Sequence, residues 1–254
     1  MEKVGVIGLG NMGSAIFHSI KNDFKTSVYD PFQNIQGVSQ EENISTLSNK
    51  SDIIIVSVKP DKVFEVLKEI QSPKILISIA AGVTISDLQK NSYPESQIVR
   101  AMPNLPLTVK EGCIAYFGNK EAYPIVQKIF QNSGIVMELG SEKNLDAFTG
   151  LAGSGPAFVF TFIQSLAEGG VKSGLTYSDS LKAAIQTVKG SVKLLENEID
   201  KFPQTHPYTL RNKVTSPGGT TIYGLDSLEK GNFSHSIISA VYKAYKRAVE
   251  IGKK

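Results

Sequence analysis

The chain has 254 residues, of which 41% are apolar and 20% charged, and its formal net charge is +3. The length suits two ordinary domains or one large one, and so small and scattered a positive charge argues against nucleic-acid binding. One cysteine excludes an intrachain disulfide, three histidines lack metal-ligand spacing, and no apolar run approaches the ~20 residues of a membrane span. We therefore expect a metal-free protein of the cytoplasm that binds neither nucleic acid nor membranes.

The first ~140 residues alternate strand and helix signals, which is typical of a parallel sheet with helices on its faces. Apolar runs predict strands at 4–9, 26–29, 53–58, 75–79, 98–102, 114–117 and 136–139. Helical patterns between them predict helices at 11–21, 61–70, 84–90 and 121–132. The predicted fold class for residues 1–141 is an α/β, Rossmann-like, doubly wound sheet that binds a dinucleotide.

A glycine-rich turn follows the first predicted strand and opens the first predicted helix. Its residues are Gly8, Leu9, Gly10, Asn11, Met12 and Gly13. In this setting the G-x-G-x-x-G pattern predicts a dinucleotide site, because the three glycines permit a tight turn, close approach to a pyrophosphate, and packing of helix on strand. The competing interpretation is a packing turn without a ligand, and the strand before it and the helix after it favour the nucleotide site.

Asp30 ends the second predicted strand, roughly 20 residues after Gly8, where an acidic residue accepts the ribose hydroxyls of the adenosine half. A carboxylate there would repel the 2′-phosphate of NADPH. We therefore expect NADH to be used at least as well as NADPH. The alternative is that Asp30 only caps the turn that it opens with Pro31.

From about residue 142 the strand signals stop. Helices are predicted at 143–151, 156–171, 178–198, 221–230 and 234–252, which gives an all-α second domain at 142–254. Much of 156–198 is apolar on more than one side, so these helices should pack on other helices, including those of a second copy of the chain.

The most informative loop of the second half is 216–221. The turn Ser216-Pro217-Gly218-Gly219 delivers Thr220 and Thr221 to the start of a predicted helix, where free N–H groups and the helix dipole would hold a small carboxylate. The competing interpretation is an ordinary N-cap after a glycine turn. With a nucleotide domain in the same chain, the loop favours hydride transfer to a small carboxylate-bearing substrate. The loops that would face the nicotinamide offer no convincing acid or base, which favours a C=N substrate over a carbonyl.

Taken from residue 4 to about 252, the chain resembles the pyrroline-5-carboxylate reductase family. Six ordered segments carry the resemblance: GLGNMG (8–13), VKP (58–60), SIAAGVT (78–84), RAMPN (100–104), GSGPA (153–157) and VTSPGGTT (214–221). The resemblance implies reduction of 1-pyrroline-5-carboxylate to L-proline by NADPH or NADH, the last step of proline biosynthesis.

The resemblance also implies roles for individual residues. The substrate carboxylate would be held by Ser216, Gly219, Thr220 and Thr221, of which Ser216 and Thr221 are also the expected catalytic residues. The nicotinamide side would be lined by Val58, Lys59, Pro60, Ala80 and Asn104. The C-terminal helices would build a dimer in which one subunit completes the other's site, and such dimers often assemble further.

Three positions depart from the family pattern, and one is Asp30, where many relatives have Asn, Ser or Arg. The other two are Leu105 and Phe158, which stand where hydroxyl-bearing residues are usual. They are the only support for an alternative function, a catalytically silent, nucleotide-binding regulatory protein, and the intact 216–221 loop speaks against it. A β-hydroxyacid dehydrogenase is a second alternative. It would need a catalytic lysine in the first long interdomain helix, and 143–171 offers only Lys143, at its very start.

Overall fold

The computed structural model describes residues 1–252, and its N-terminal part is built on a seven-stranded sheet of order β2-β1-β3-β4-β5-β6-β7. The strands are β1 (Lys3–Ile7), β2 (Lys25–Tyr29), β3 (Ile53–Val56), β4 (Ile75–Ser78), β5 (Gln97–Met102), β6 (Gly112–Gly118) and β7 (Gly134–Glu138). Each overlaps a strand predicted from the sequence.

The sheet is mixed rather than wholly parallel. Strands β1 to β5 run parallel, whereas β6 is antiparallel to β5 and β7 is parallel to β6. The cause is the connection from β5 to β6, which holds only a short 3₁₀ turn, Leu105–Val109. A parallel neighbour needs a crossover of a dozen or more residues, and this loop is too short to make one.

Helices cover both faces of the sheet, as a doubly wound fold requires. They are α1 (Asn11–Ile20), α2 (Ile44–Lys50), α3 (Val63–Lys68), α4 (Ile85–Asn91) and α5 (Tyr123–Phe130). Alternate residues of β3 serve the two faces: Ile55 lies in the cluster with α1 and α5, and Ile54 lies in the cluster with α2, α3 and α4. This confirms the predicted fold class. Helix α2 was not predicted from the sequence; it begins where the side chain of Asn43 accepts the Thr46 N–H at 2.8 Å.

Residues 142–251 are mostly helical. They comprise α6 (Glu142–Phe148), a π-turn (Thr149–Gly153), α7 (Gly155–Lys172), α8 (Tyr177–Lys201), α9 (Pro207–Lys213), α10 (Thr220–Lys230) and α11 (Phe233–Ile251). The π-turn is closed by the Ser154 N–H, which donates to the Thr149 carbonyl at 2.9 Å. Within the described residues, no helix is long and apolar enough to cross a membrane.

The chain forms two compact units. The first unit is Met1–Pro156 together with the described residues from Val241 onward, and the second unit is Ala157–Ala240. The C-terminal helix returns to the first unit, where Gly150 lies so close to the backbone of Val241 and Tyr245 that a side chain would collide with it. The domain boundary at 141/142 stays a prediction, and residues 253 and 254 of the predicted second domain lie outside the described residues.

Candidate functional site

The glycine loop after β1 has the geometry that its spacing predicts. Gly8 turns the chain with a φ of +92°, and a Cβ there would strike the backbone of Ser57, just beyond β3. At Gly13 a Cβ would overlap the carbonyl oxygen of Gly8. Glycine is therefore required at both positions, and the loop lies against the carboxyl end of β3, where such sheets bind ligands.

The start of α1 is open to an anion. Its N-cap, Gly10, provides no side-chain cap, and nothing lies within 4 Å of the place where a Cβ of Gly10 would be. The first N–H groups of the helix and its positive dipole end therefore suit a pyrophosphate. Beside them runs a groove of about 420 Å³, whose lining includes Leu9, Gly10, Asn11, Gln33, Leu105 and Thr108.

Asp30 joins the end of β2 to this loop. Its Oδ2 accepts the Leu9 N–H at 2.6 Å, and its Oδ1 accepts the N–H groups of Phe32 and Gln33 at 2.8 and 2.9 Å. Asp30 thus caps the turn that it opens, as one of the two sequence interpretations held, and it also faces the glycine loop. A carboxylate has about four lone-pair positions, so three bonds leave room for a hydroxyl, and the ribose contact stays a prediction.

The residues expected on the nicotinamide side follow β3, β4 and β5. Val58 lies against the glycine loop, within contact distance of a Cβ built at Gly8. Lys59 is exposed and Pro60 begins a 3₁₀ turn. Ala80 is buried in the core cluster on the face of the sheet that α2, α3 and α4 cover.

Asn104 has a role in the fold that the sequence analysis did not foresee. Its side chain is buried, its Nδ2 donates to the Ala152 carbonyl at 3.0 Å, and its Oδ1 accepts the Cys113 N–H at 2.8 Å. The amide therefore ties the π-turn to β6, and a donor and an acceptor on one short side chain are both engaged by backbone. Its place at the nicotinamide stays a prediction.

A buried ion pair, also missed, connects three of the surrounding segments. Arg100 on β5 is 3% exposed, and its guanidinium lies 2.8 Å from Glu142 Oε1 and 3.1 Å from Asp146 Oδ1. The same oxygen of Glu142 accepts the Ile85 N–H at the start of α4, at 2.7 Å. These partners lie 42 and 46 positions from Arg100 in sequence, so no local pattern could have revealed them.

The 216–221 loop belongs to the second unit. Gly219 is the N-cap of α10 and no side chain caps this helix, while the Gly219 N–H donates to the Ser216 carbonyl at 3.1 Å. The first N–H groups of α10 are therefore available to an anion. Thr221 lies in the first turn of α10 and is half-buried, and Ser216 is exposed in the turn before the helix.

Burial shifts the pKa of two ionisable side chains of β6. Burial raises the pKa of the Cys113 thiol, and it raises the pKa of the Tyr116 phenol, whose oxygen accepts a hydrogen bond from Gln127 at 2.8 Å. Both raised values favour the neutral form, which suits packing groups in the core better than reactive ones.

Leu105 and Phe158, the two departures that lack a hydroxyl, line grooves. Leu105 is 45% exposed on the groove beside the glycine loop. Phe158 lines a separate apolar groove of about 280 Å³ in the second unit, with Phe162, Leu228 and Phe233 among its other walls. Leu105 begins the 3₁₀ turn after β5, and Phe158 lies in the first turn of α7.

Known proteins match the chain along its whole length. A family model described as pyrroline-5-carboxylate reductase dimerisation matches residues 142–251, and one described as NADP oxidoreductase, coenzyme F420-dependent, matches 3–82. The pyrroline-5-carboxylate reductase of Methanosarcina acetivorans is 37% identical, covering 100% of this chain and 99% of the relative, and that of Aquifex aeolicus is 36% identical over 98% and 97%. The crystal structure of Plasmodium falciparum pyrroline carboxylate reductase with NADP bound is similar at a TM-score of 0.90 and 37% identity, covering 99% of this chain and 98% of that one. The chain therefore belongs to the pyrroline-5-carboxylate reductase family.

Proposed function

We propose that this chain is a pyrroline-5-carboxylate reductase. It transfers a hydride from NAD(P)H to the C=N bond of 1-pyrroline-5-carboxylate and forms L-proline, the last step of proline biosynthesis. The observation that carries the proposal is the full-length match to relatives of this name, in a chain whose two glycine turns each precede an uncapped helix.

The coenzyme site is the first element of the proposal. The N–H groups at 10–13 hold the pyrophosphate, Asp30 faces the adenosine ribose, and the nicotinamide side is formed by Val58, Lys59, Pro60, Ala80 and Asn104. The bound coenzyme supplies the hydride. The protein's part is to fix the coenzyme against the substrate carbon and to keep water out of the groove. The relative solved with NADP bound supports this assignment.

The substrate carboxylate is placed at the start of α10. The N–H groups of Thr220 and Thr221, with the hydroxyls of Ser216 and Thr221, act as donors to it, and Gly219, the N-cap, leaves room for the carboxylate beside them. Ser216 and Thr221 are the proposed catalytic residues because they touch the substrate and set its orientation. The protonated imine already carries the proton that ends on the ring nitrogen of proline, so the chain need not supply a strong acid.

Self-association is the third element, and a dimer through the C-terminal helices is its proposed form. Within 157–240, all of which the structure describes, only Ala167, Ser180 and Ala184 are buried. Large apolar side chains are exposed there instead, including Phe160 at 60% and Ile238 at 69%. So many exposed apolar side chains, on helices that bury so few of their own residues, are typical of an interface. Light scattering on the protein eluted from a size-exclusion column would test the proposed dimer, and a monomer at micromolar concentration would contradict it.

The proposal also covers the location of the enzyme in the cell and its assembly beyond a dimer. We propose a cytoplasmic enzyme in which dimers assemble further. Fractionation of cells that express the chain, and the mass of the eluted particle, test these two points separately.

The decisive experiment is a turnover assay with the purified protein. Oxidation of NADH and, separately, NADPH is followed with 1-pyrroline-5-carboxylate present or omitted, and proline is identified chemically as the product. Proline formed in step with coenzyme oxidation supports the proposal. Coenzyme binding without any proline would refute it and favour the regulatory alternative.

A further inference from the structure

We propose that the loop after β2, residues 30–42, makes this enzyme select the coenzyme that lacks a 2′-phosphate, so that NADH is preferred to NADPH. The inference rests on the proposed function for its kinetic test but not for its binding test. The name adenosine loop is used below for residues 30–42.

The first support is the fixed position of a carboxylate. Asp30 stands at the end of β2, where the adenosine ribose of a dinucleotide lies in this fold. Its bond to the Leu9 N–H and its two bonds to Phe32 and Gln33 hold both oxygens in place. The side chain therefore cannot rotate away from an incoming phosphate without breaking backbone hydrogen bonds. A ribose 2′-hydroxyl, in contrast, donates to the remaining lone pair.

The second support is the charge of the adenosine loop. It contains neither a lysine nor an arginine. Of its carboxylates, Asp30 is bonded to the glycine loop, whereas Glu42 is exposed and makes no contribution to the selection. Lys50 is the cation that the structure joins to this loop, and its ammonium is paired with Glu41 at 2.7 Å. A 2′-phosphate brings a charge of about −1.5 to −2, and sites that accept it provide an arginine nearby. Here it would meet a carboxylate instead.

The third support is that side chains close the adenosine loop on itself. The Asp30 N–H donates to Gln40 Oε1 at 3.0 Å, and Gln40 Nε2 donates to Asn34 Oδ1 at 2.7 Å. Gln40 therefore links the first residue of the loop to its middle. A rearrangement that brought a cation to the ribose would have to break these bonds, so the loop resists adaptation to the phosphate.

The selection is a property of this loop and not of the fold as a whole. The Plasmodium falciparum relative, similar over almost the full chain, was solved with NADP bound. A fold that admits the phosphorylated coenzyme leaves the choice to the few residues around the ribose.

The test compares kcat/KM for NADH and NADPH in the wild type, Asp30→Asn and Glu42→Gln. Asp30→Asn keeps the size and one oxygen acceptor and removes the charge. Glu42→Gln removes a charge from an exposed position of the same loop and is the matched control. We expect the wild type to prefer NADH by about tenfold or more, Asp30→Asn to lose about tenfold of that preference, and the control to stay within about twofold.

A wild-type preference for NADPH, or an unchanged ratio in a folded Asp30→Asn, would overturn the inference. If Asp30→Asn does not fold, the wild type decides alone through competition binding. Adenosine 5′-monophosphate should displace bound NADH at lower concentration than adenosine 2′,5′-bisphosphate, and the reverse order would overturn the inference. Failure of the proposed function looks different, since NADH would bind and neither coenzyme would be oxidised.

Discussion

Replacing the two acidic partners of Arg100 should destabilise the protein more than replacing Arg100 itself. The guanidinium is 3% exposed, whereas the side chains of Glu142 and Asp146 are 30% and 18% exposed. When Arg100→Met removes the charge, the two carboxylates can regain water, and we expect a loss of about 1 kcal/mol in the free energy of unfolding. When Glu142→Gln and Asp146→Asn are combined, the charge of Arg100 stays buried without a counter-charge, and the expected loss is about 3–5 kcal/mol.

The choice of amides keeps the comparison clean. In Glu142→Gln the amide oxygen can still accept the Ile85 N–H, so the helix start is retained and only charge is lost. Urea unfolding followed by circular dichroism gives both free energies, at one protein concentration because association stabilises the folded state. The reasoning would be refuted if Arg100→Met cost as much as the double amide variant, since burial of the guanidinium would then not be the dominant effect.

Three further predictions concern the loops. Gly13→Ala should lower the melting temperature, because the added Cβ overlaps the Gly8 carbonyl. Gly10→Ala should fold normally, because its Cβ meets nothing within 4 Å, but it should weaken coenzyme binding. Thermal melts measure the first effect and fluorescence titration with coenzyme measures the second. Thr221→Ala should raise KM for the imino acid by roughly five- to 150-fold, which corresponds to ~1–3 kcal/mol for one bond to a charged group, with coenzyme Kd unchanged; equal damage to both constants would assign the loop a structural role. Asn104→Leu should cost about 2–4 kcal/mol of unfolding free energy because two backbone groups lose their partner, and a chemical denaturation curve that superimposes on the wild type would contradict this.

Much of the fold could be predicted because its signals are local. The apolar run of β3 and the glycines around α1 depend on neighbours within a few positions, so their elements lie where the patterns placed them. The antiparallel direction of β6 could also have been predicted, since the short connection after β5 excludes a parallel crossover. The apolar run of β6 predicts a strand but not its direction, which depends on the length of the loop before it.

The site was less predictable because it depends on contacts across the chain. The glycine turn and the 216–221 turn can be recognised in the sequence by their composition and spacing. The bond of Asp30 to the Leu9 N–H and the bond of the Asn104 amide to the Ala152 carbonyl form only when distant segments meet. Side-chain type alone does not say whether an amide or carboxylate is free for a ligand or already occupied by the backbone.

The return of the C-terminal helix to the first unit has a consequence for biosynthesis on the ribosome. The first unit cannot be completed when residue 156 emerges, because the surface at Gly150 is covered by the segment that begins at Val241. The whole second unit is synthesised in between, so that surface of the nascent sheet domain stays uncovered until the segment from Val241 onward has been made. A chain cut short after Ala240 should therefore be cleared by cellular proteases even though its glycine loop is intact.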